Sequence, residues 1–352
     1  MRPRNIALGL AFVLGALLMG TSTLGAVAPR ELAFVAADRG VPQVFTVRAD
    51  GTGRRQLTNA PGPSTKPVWS PDGRKIVFVR HAGDDTQIYI MNADGGSQRP
   101  LTRGPGRADS PAWSPDGLQI VFAATRDRVS KVAVMRSDGS RRRDLAPSHS
   151  EQRAPAWSPD GRLIAFLSRA GREQYDLLAR TSRGHFDLYV IGADGRNLRQ
   201  VPTPAPGIEP DVKEFTWLPD GRLAYTSRSG PAQDGVTVTT VSGSAHRYLG
   251  TGASPAWAPD SRRLAFVVSH AGAPEVYVRN SMEGHSVPLI DSRLTTVRPA
   301  WSPDGRQIAF LILGGGKTKL MVTDPDGGHQ RQLADDVYGD LSARPVFSWR
   351  PR

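Results

Sequence analysis

The sequence contains no cysteine in 352 residues, which excludes a disulfide framework, a thiolate zinc site and a lipid-modified cysteine. Lysine is scarce. Only Lys66, Lys75, Lys131, Lys213, Lys317 and Lys319 stand among 45 basic residues, so arginine carries most of the net charge of +12. No Gly-x-Ser-x-Gly elbow occurs, and with it goes the signature of an α/β-hydrolase nucleophile. Gly316-Lys317-Thr318 has only the end of a phosphate-binding loop, because Leu311 stands where the first glycine is required. Asp324-Pro325-Asp326-Gly327 lacks the distant glutamate of a calcium loop and reads as a structural turn.

Hydrophobic residues make up 39% of the chain, enough to bury a substantial core. Gly 37 and Pro 29 without a collagen-like period imply many turns between many short strands. The basic balance would suit a polyanion, but an arginine-rich composition spread over solvated strand ends accounts for it equally, and nucleic acid is not expected as a partner. The densest run, Arg141-Arg142-Arg143, falls at a hairpin turn.

Arg2 and Arg4 precede an uncharged stretch from Ile6 to Ala28, the layout of a secretory leader. Ala26-Val27-Ala28 has a small-x-small pattern blocked by Pro29, and cleavage after Gly25 is the other option. The same stretch is long enough to cross a bilayer as a helix. Residues 1–28 are therefore read as a signal peptide or membrane anchor, with residues 6–28 as the tether. Export to the periplasm or cell exterior is the expectation.

From residue 31 onward Pro-x-Trp-Ser-Pro-Asp-Gly recurs, at Trp69, Trp113, Trp157 and Trp301, with diverged copies at Trp217 and Trp257 and a terminal one with Phe347 in the tryptophan place. The intervals are 44, 44, 60, 40, 44 and 46 residues, a propeller-blade period. Each copy carries four strand-like pieces. The second runs Glu31 to Val35, Lys75 to Val79, Gln119 to Ala123, Leu163 to Leu167, Arg222 to Thr226, Arg263 to Val267 and Gln307 to Leu311. Ser-Pro-Asp-Gly supplies turn chemistry, with proline fixing φ and glycine admitting the left-handed residue. The chain opens on a second piece and ends on a first, Arg344 to Trp349. Pairing these closes a ring and removes exposed edges. The expected fold is all-β: residues 29–352 form a seven-bladed propeller of four-stranded antiparallel blades, monomeric, with its first blade completed by the C-terminal strand. The tryptophans are assigned to packing between blades.

The tandem Trp-Ser-Pro-Asp-Gly and Ala-Asp-Gly segments resemble the repeats of TolB-type, WD-like propellers over about residues 31 to 352. A full TolB carries an N-terminal α/β domain and six blades, a pattern from which this reading departs. The resemblance implies a propeller and leaves the ligand open.

Turns between first and second and between third and fourth strands share one face of such a propeller, and the longer connections share the other. The interval of 60 residues between Trp157 and Trp217 places two long segments on that second face, Ser168 to Phe186 and Pro202 to Glu214. Long insertions in compact folds often carry function, so Arg169, Arg172, Glu173, Tyr175, Asp176 and His185 are the candidate partner-binding residues. His81, His149, His185 and His270 fall in loops of the same face, beside Asp84, Asp85, Glu151, Glu173, Asp176 and Glu275, and imidazoles with carboxylates are metal ligands. Oligogalacturonate lyase has similar repeats and implies a histidine-rich metal site. No short-range pair here has metal-ligand spacing, however, and no cofactor is expected. The function expected is non-catalytic binding or scaffolding of a protein or cell-envelope polymer. A metal-dependent lyase and a membrane-tethered sensor are the alternatives.

Overall fold

The computed structural model describes residues 30–145, 150–169, 185–203, 211–228, 234–270, 273–290, 294–338 and 346–351. The regular elements among them are β-strands, and among the described residues no helix is long and apolar enough to cross a membrane. The architecture is an all-β propeller of four-stranded antiparallel blades. The second pieces of the repeat appear as Glu31–Asp38, Lys75–Ala82, Gln119–Arg126, Leu163–Arg169, Leu223–Arg228, Leu264–His270 and Ile308–Gly314.

The first sheet takes Phe347–Trp349, Glu31–Asp38, Val41–Arg48 and Arg55–Gln56 in that order. Four later sheets are also four-stranded, and they begin at Gln152–Trp157, Val212–Trp217, Ala253–Trp257 and Thr295–Trp301. They are called the third to sixth here. The second sheet has eight strands. In it, the antiparallel run from Ser64–Trp69 to Arg99–Pro100 meets the run from Arg107–Trp113 to Arg143–Asp144. The expectation of seven separate four-stranded sheets is corrected to five plus this double one. The cause is local: Thr86 pairs in parallel with Arg107, and the Thr86 hydroxyl donates to the Ala108 carbonyl at 3.1 Å.

Strand centres are buried on both faces because each sheet packs between two others. Leu32 and Phe34 pack with Leu311 and Leu320 of the sixth sheet, while their alternating neighbour Ala33 packs with Trp69 and Phe78 of the second. That is period-two alternation read against two apolar neighbours. Phe34, Phe78, Phe122, Phe166 and Phe310 are fully buried, each contributing roughly 1.5–3 kcal/mol. Cross-strand partners add aromatic contact, with Phe34 and Phe45 ring centroids 5.8 Å apart and Phe78 and Tyr89 5.7 Å apart.

Phe347–Trp349 joins the first sheet, with Phe34 opposite Phe347 and Leu32 opposite Trp349. Trp69 faces Ile76 and Trp301 faces Ile308 in the equivalent ladders, so the tryptophan place belongs to Trp349. The assignment of Phe347 to it is corrected by two residues. Hydrogen bonding agrees: Trp349 Nε1 donates to the Ala300 carbonyl at 3.1 Å, as Trp113 does to Val68, Trp217 to Ala156 and Trp301 to Ala256. Each bond ties an innermost strand to the one before it.

The repeated turns are built from their own side chains. Ser70 Oγ donates to Asp72 Oδ1 at 2.6 Å and accepts from Lys75 N at 2.9 Å. Ser114, Ser158 and Ser302 repeat the arrangement. These bonds hold the Asp72 and Asp160 carboxyls below their ordinary values, with the serine hydroxyl as the largest cause. Gly327, at φ 85, lies so close to the Leu289 carbonyl of the preceding sheet that a Cβ would collide with it.

Candidate functional site

Residues 170–184 and 204–210, assigned to the irregular face from sequence, lie outside the described residues, but the residues flanking them do not. Arg169 ends its strand opposite Phe186, and His185 directly precedes that phenylalanine. Phe186 N donates to Asp211 Oδ1 at 3.2 Å, which ties the base of one segment to the base of the other. Phe186 is buried and two guanidiniums lie near its ring, with Arg153 Cζ 3.6 Å and Arg169 Cζ 5.4 Å from its centroid. Arg169 Nη2 donates to Glu151 Oε2 at 2.7 Å. Cation–π contact of this kind is worth about 0.5–2 kcal/mol and fixes the ring and both arginines. Burial pushes the Arg153 guanidinium below its ordinary pKa, and the Glu151 and Asp211 carboxylates oppose the shift. The result is a fixed platform of two cations and two carboxylates, suited to holding a polar or charged group.

Of the expected partner-binding residues, Arg169 stands against Phe186 and His185 precedes that ring in the chain, while Arg172, Glu173, Tyr175 and Asp176 lie outside the described residues. His149 lies outside them as well. His81 Nε2 is 3.0 Å from Thr65 Oγ1, and His270 ends a strand of the fifth sheet. Among the described residues no three histidine or acidic side chains form a group able to hold a metal. Sequence reasoning missed Arg153, Phe186 and Asp211, because their meeting depends on pairing between strands distant in the chain.

A second set of charges sits on the innermost strands. Lys66 pairs with Asp109 at 2.6 Å, and Arg298 reaches Glu214 at 3.8 Å past the intervening strand Ala253–Trp257. Glu214 also accepts from Ser254 N and from the Thr226 hydroxyl. Lys66, Ser110, Ala154, Ser254 and Arg298 all have φ between 51° and 58°, and each lies three residues before a repeat tryptophan. A register shift in the ladder accompanies each of them. A bulge re-aims the side chain it carries, and at Lys66 and Arg298 that side chain reaches a carboxylate of another innermost strand. Their constant offset from the tryptophan is the signal that could have found them.

Arginine also fastens the outer rim. Arg55 donates to the Ala93 carbonyl, Arg99 to Asp138, Arg143 to Ala193 and Asp194, and Arg331 to Ala49. In every case a fourth strand reaches the turn of the next unit.

A family model described as PD40, the TolB beta propeller domain, matches residues 26–175. No curated protein sequence matches the chain. Among solved structures, TolB from Acinetobacter baumannii is similar at a TM-score of 0.56 and 15% identity, over 92% of this chain and 67% of that one. Oligogalacturonate lyase from Vibrio parahaemolyticus is similar at 0.65 and 14%, over 84% and 86%. A Mycobacterium tuberculosis puromycin-hydrolyzing peptidase is similar at 0.66 and 17%, over 87% of this chain and 54% of the peptidase. The chain therefore spans about half the length of that enzyme. At these identities the likeness concerns the fold.

Proposed function

We propose that this chain, a TolB-type β-propeller repeat protein, is a non-catalytic binding protein that works outside the cytoplasm and holds a protein or envelope polymer on its irregular face. In this reading the double sheet counts as two blades, giving seven, and the pairing of Phe347–Trp349 with Glu31–Asp38 closes the ring. The observation that carries the proposal is the Phe186 platform. Two arginines and two carboxylates are fixed around Phe186, a set of charges placed to take a polar or charged group of a partner. The neighbours include both a lyase and a peptidase, so the test must read binding and turnover together.

Full-length protein and an Arg169→Ala variant are to be compared for saturable binding to isolated envelopes of the source organism. About tenfold weaker binding by a variant that circular dichroism shows to be folded is expected; equal binding by the two would overturn the role of the platform. Cleavage of acidic oligosaccharides by protein holding stoichiometric metal would replace the binding reading with the lyase.

A further inference from the structure

The strands Gln119–Arg126, Val129–Arg136 and Arg143–Asp144 form the outer part of one unit of the double sheet. Residues 119–144 hold seven cationic side chains against three carboxylates, a net +4, whereas the equivalent residues 75–100 hold three of each and are neutral. A third of the chain's net charge thus sits on one blade edge. Elsewhere basic residues are matched at close range, as in Arg30 with Asp304, Lys66 with Asp109 and Lys213 with Asp234. Here, among the described residues, none of the seven takes part in an ion pair. Two cavities of about 650 and 680 Å³ flank Arg143 along the outer edge, one lined by Arg126 and Lys131, the other by Arg136 and Arg141.

The charges are spread along the edge and not gathered at one end. Arg126 and Arg128 crown the hairpin on the irregular face, and Asp127 and Arg128 between the strands both adopt positive φ, 50° and 64°, where glycine is the common choice. Arg136 and Arg141 stand at the opposite end, on the tight-turn face. Eight residues separate the ends of Val129–Arg136 inclusively, about 26 Å at roughly 3.3 Å per residue. Single-stranded nucleic acid would call for exposed rings to stack on, but Phe122 is fully buried under the Arg142 guanidinium. We infer that this blade edge is a binding surface for a linear acidic polysaccharide lying along the strands, distinct from the Phe186 platform.

Alginate is the probe, with neutral dextran, anionic phospholipid vesicles and duplex DNA beside it, at 50 and 300 mM salt. The full chain is expected to bind alginate at low salt and not dextran. An Arg126→Gln, Arg128→Gln, Lys131→Gln variant, which leaves the fastened Arg143 in place, is expected to bind about tenfold or more weakly, the cumulative loss of three exposed cations. Arg162→Gln, Arg196→Gln, Arg306→Gln is the control of equal charge change, expected to bind as wild type. Circular dichroism and thermal melts confirm that both variants fold. An equal loss in the control, no binding of alginate, or tighter binding of vesicles or DNA would each overturn the inference. None of these outcomes depends on Arg169.

Discussion

Between the fourth and fifth sheets the chain itself makes the join, since only Gly252 separates His246–Thr251 from Ala253–Trp257. The sixth and first sheets are joined by a longer stretch, residues 335–346 between Arg331–Ala334 and Phe347–Trp349. They meet through Trp349 on the Ala300 carbonyl, Arg331 on the Ala49 carbonyl, and the pairs Arg30 with Asp304 and Arg54 with Asp336. Backbone bonds from Ala37 to Asp336 and from Tyr338 to Val35 add to them. The seam with the one-residue link has the Ser254 N bond to Glu214, an exposed Arg247–Glu283 pair at 3.4 Å and Arg222 against the Met282 sulfur at 3.5 Å. Directed polar contacts accompany the longer link.

The sharpest way to break this contrast is at the two tryptophans. Trp349→Ala is expected to cost about 3–5 kcal/mol of burial, and roughly 1 kcal/mol more than Trp257→Ala because a hydrogen bond goes with it. Urea unfolding midpoints compare the two, and equal losses would remove the distinction between the seams. The ion pairs give the next effect. Arg30→Ala leaves the Asp304 carboxylate, 3% exposed, without this cation, at an expected cost of about 1–3 kcal/mol. Arg247→Ala at the other seam is expected to cost less than about 0.5 kcal/mol. The smallest effect concerns the turns. Ser158→Ala removes a hydroxyl that lowers the Asp160 pKa, for about 1 kcal/mol at pH 7. A carboxyl lowered in the folded state contributes stability above its unfolded pKa and loses it as pH falls through the folded value. The gap between wild type and variant should therefore narrow below about pH 4, leaving the part due to Leu163 N on Ser158 Oγ.

Turn chemistry and the repeat period made the strands legible, together with the partnership of Phe34 and Phe347. The terminal repeat was misread because Phe347-Ser348-Trp349 is followed by no Asp-Gly turn, and a slip of two residues keeps every side chain on the same face. Alternation alone cannot detect such a slip. Arg169 and His185 were legible from the long interval around them. Arg153 and Asp211 were not, for they reach Phe186 from other strands and no spacing in the chain encodes that. The merging of two strand runs through Thr86 and Arg107 rests on a single pairing that sequence does not mark.

The rim arginines change what an isoelectric point of about 10.5 means. Arg143 grips two carbonyls of its neighbour at 2.8 and 3.3 Å, a fork that an ammonium group does not reproduce. Exchanging Arg55, Arg99, Arg143 and Arg331 for lysine would leave net charge and electrophoretic mobility at neutral pH nearly untouched while weakening the hold of one unit on the next. Bulk basicity here adds together fasteners and free handles, and only the handles are offered to other molecules.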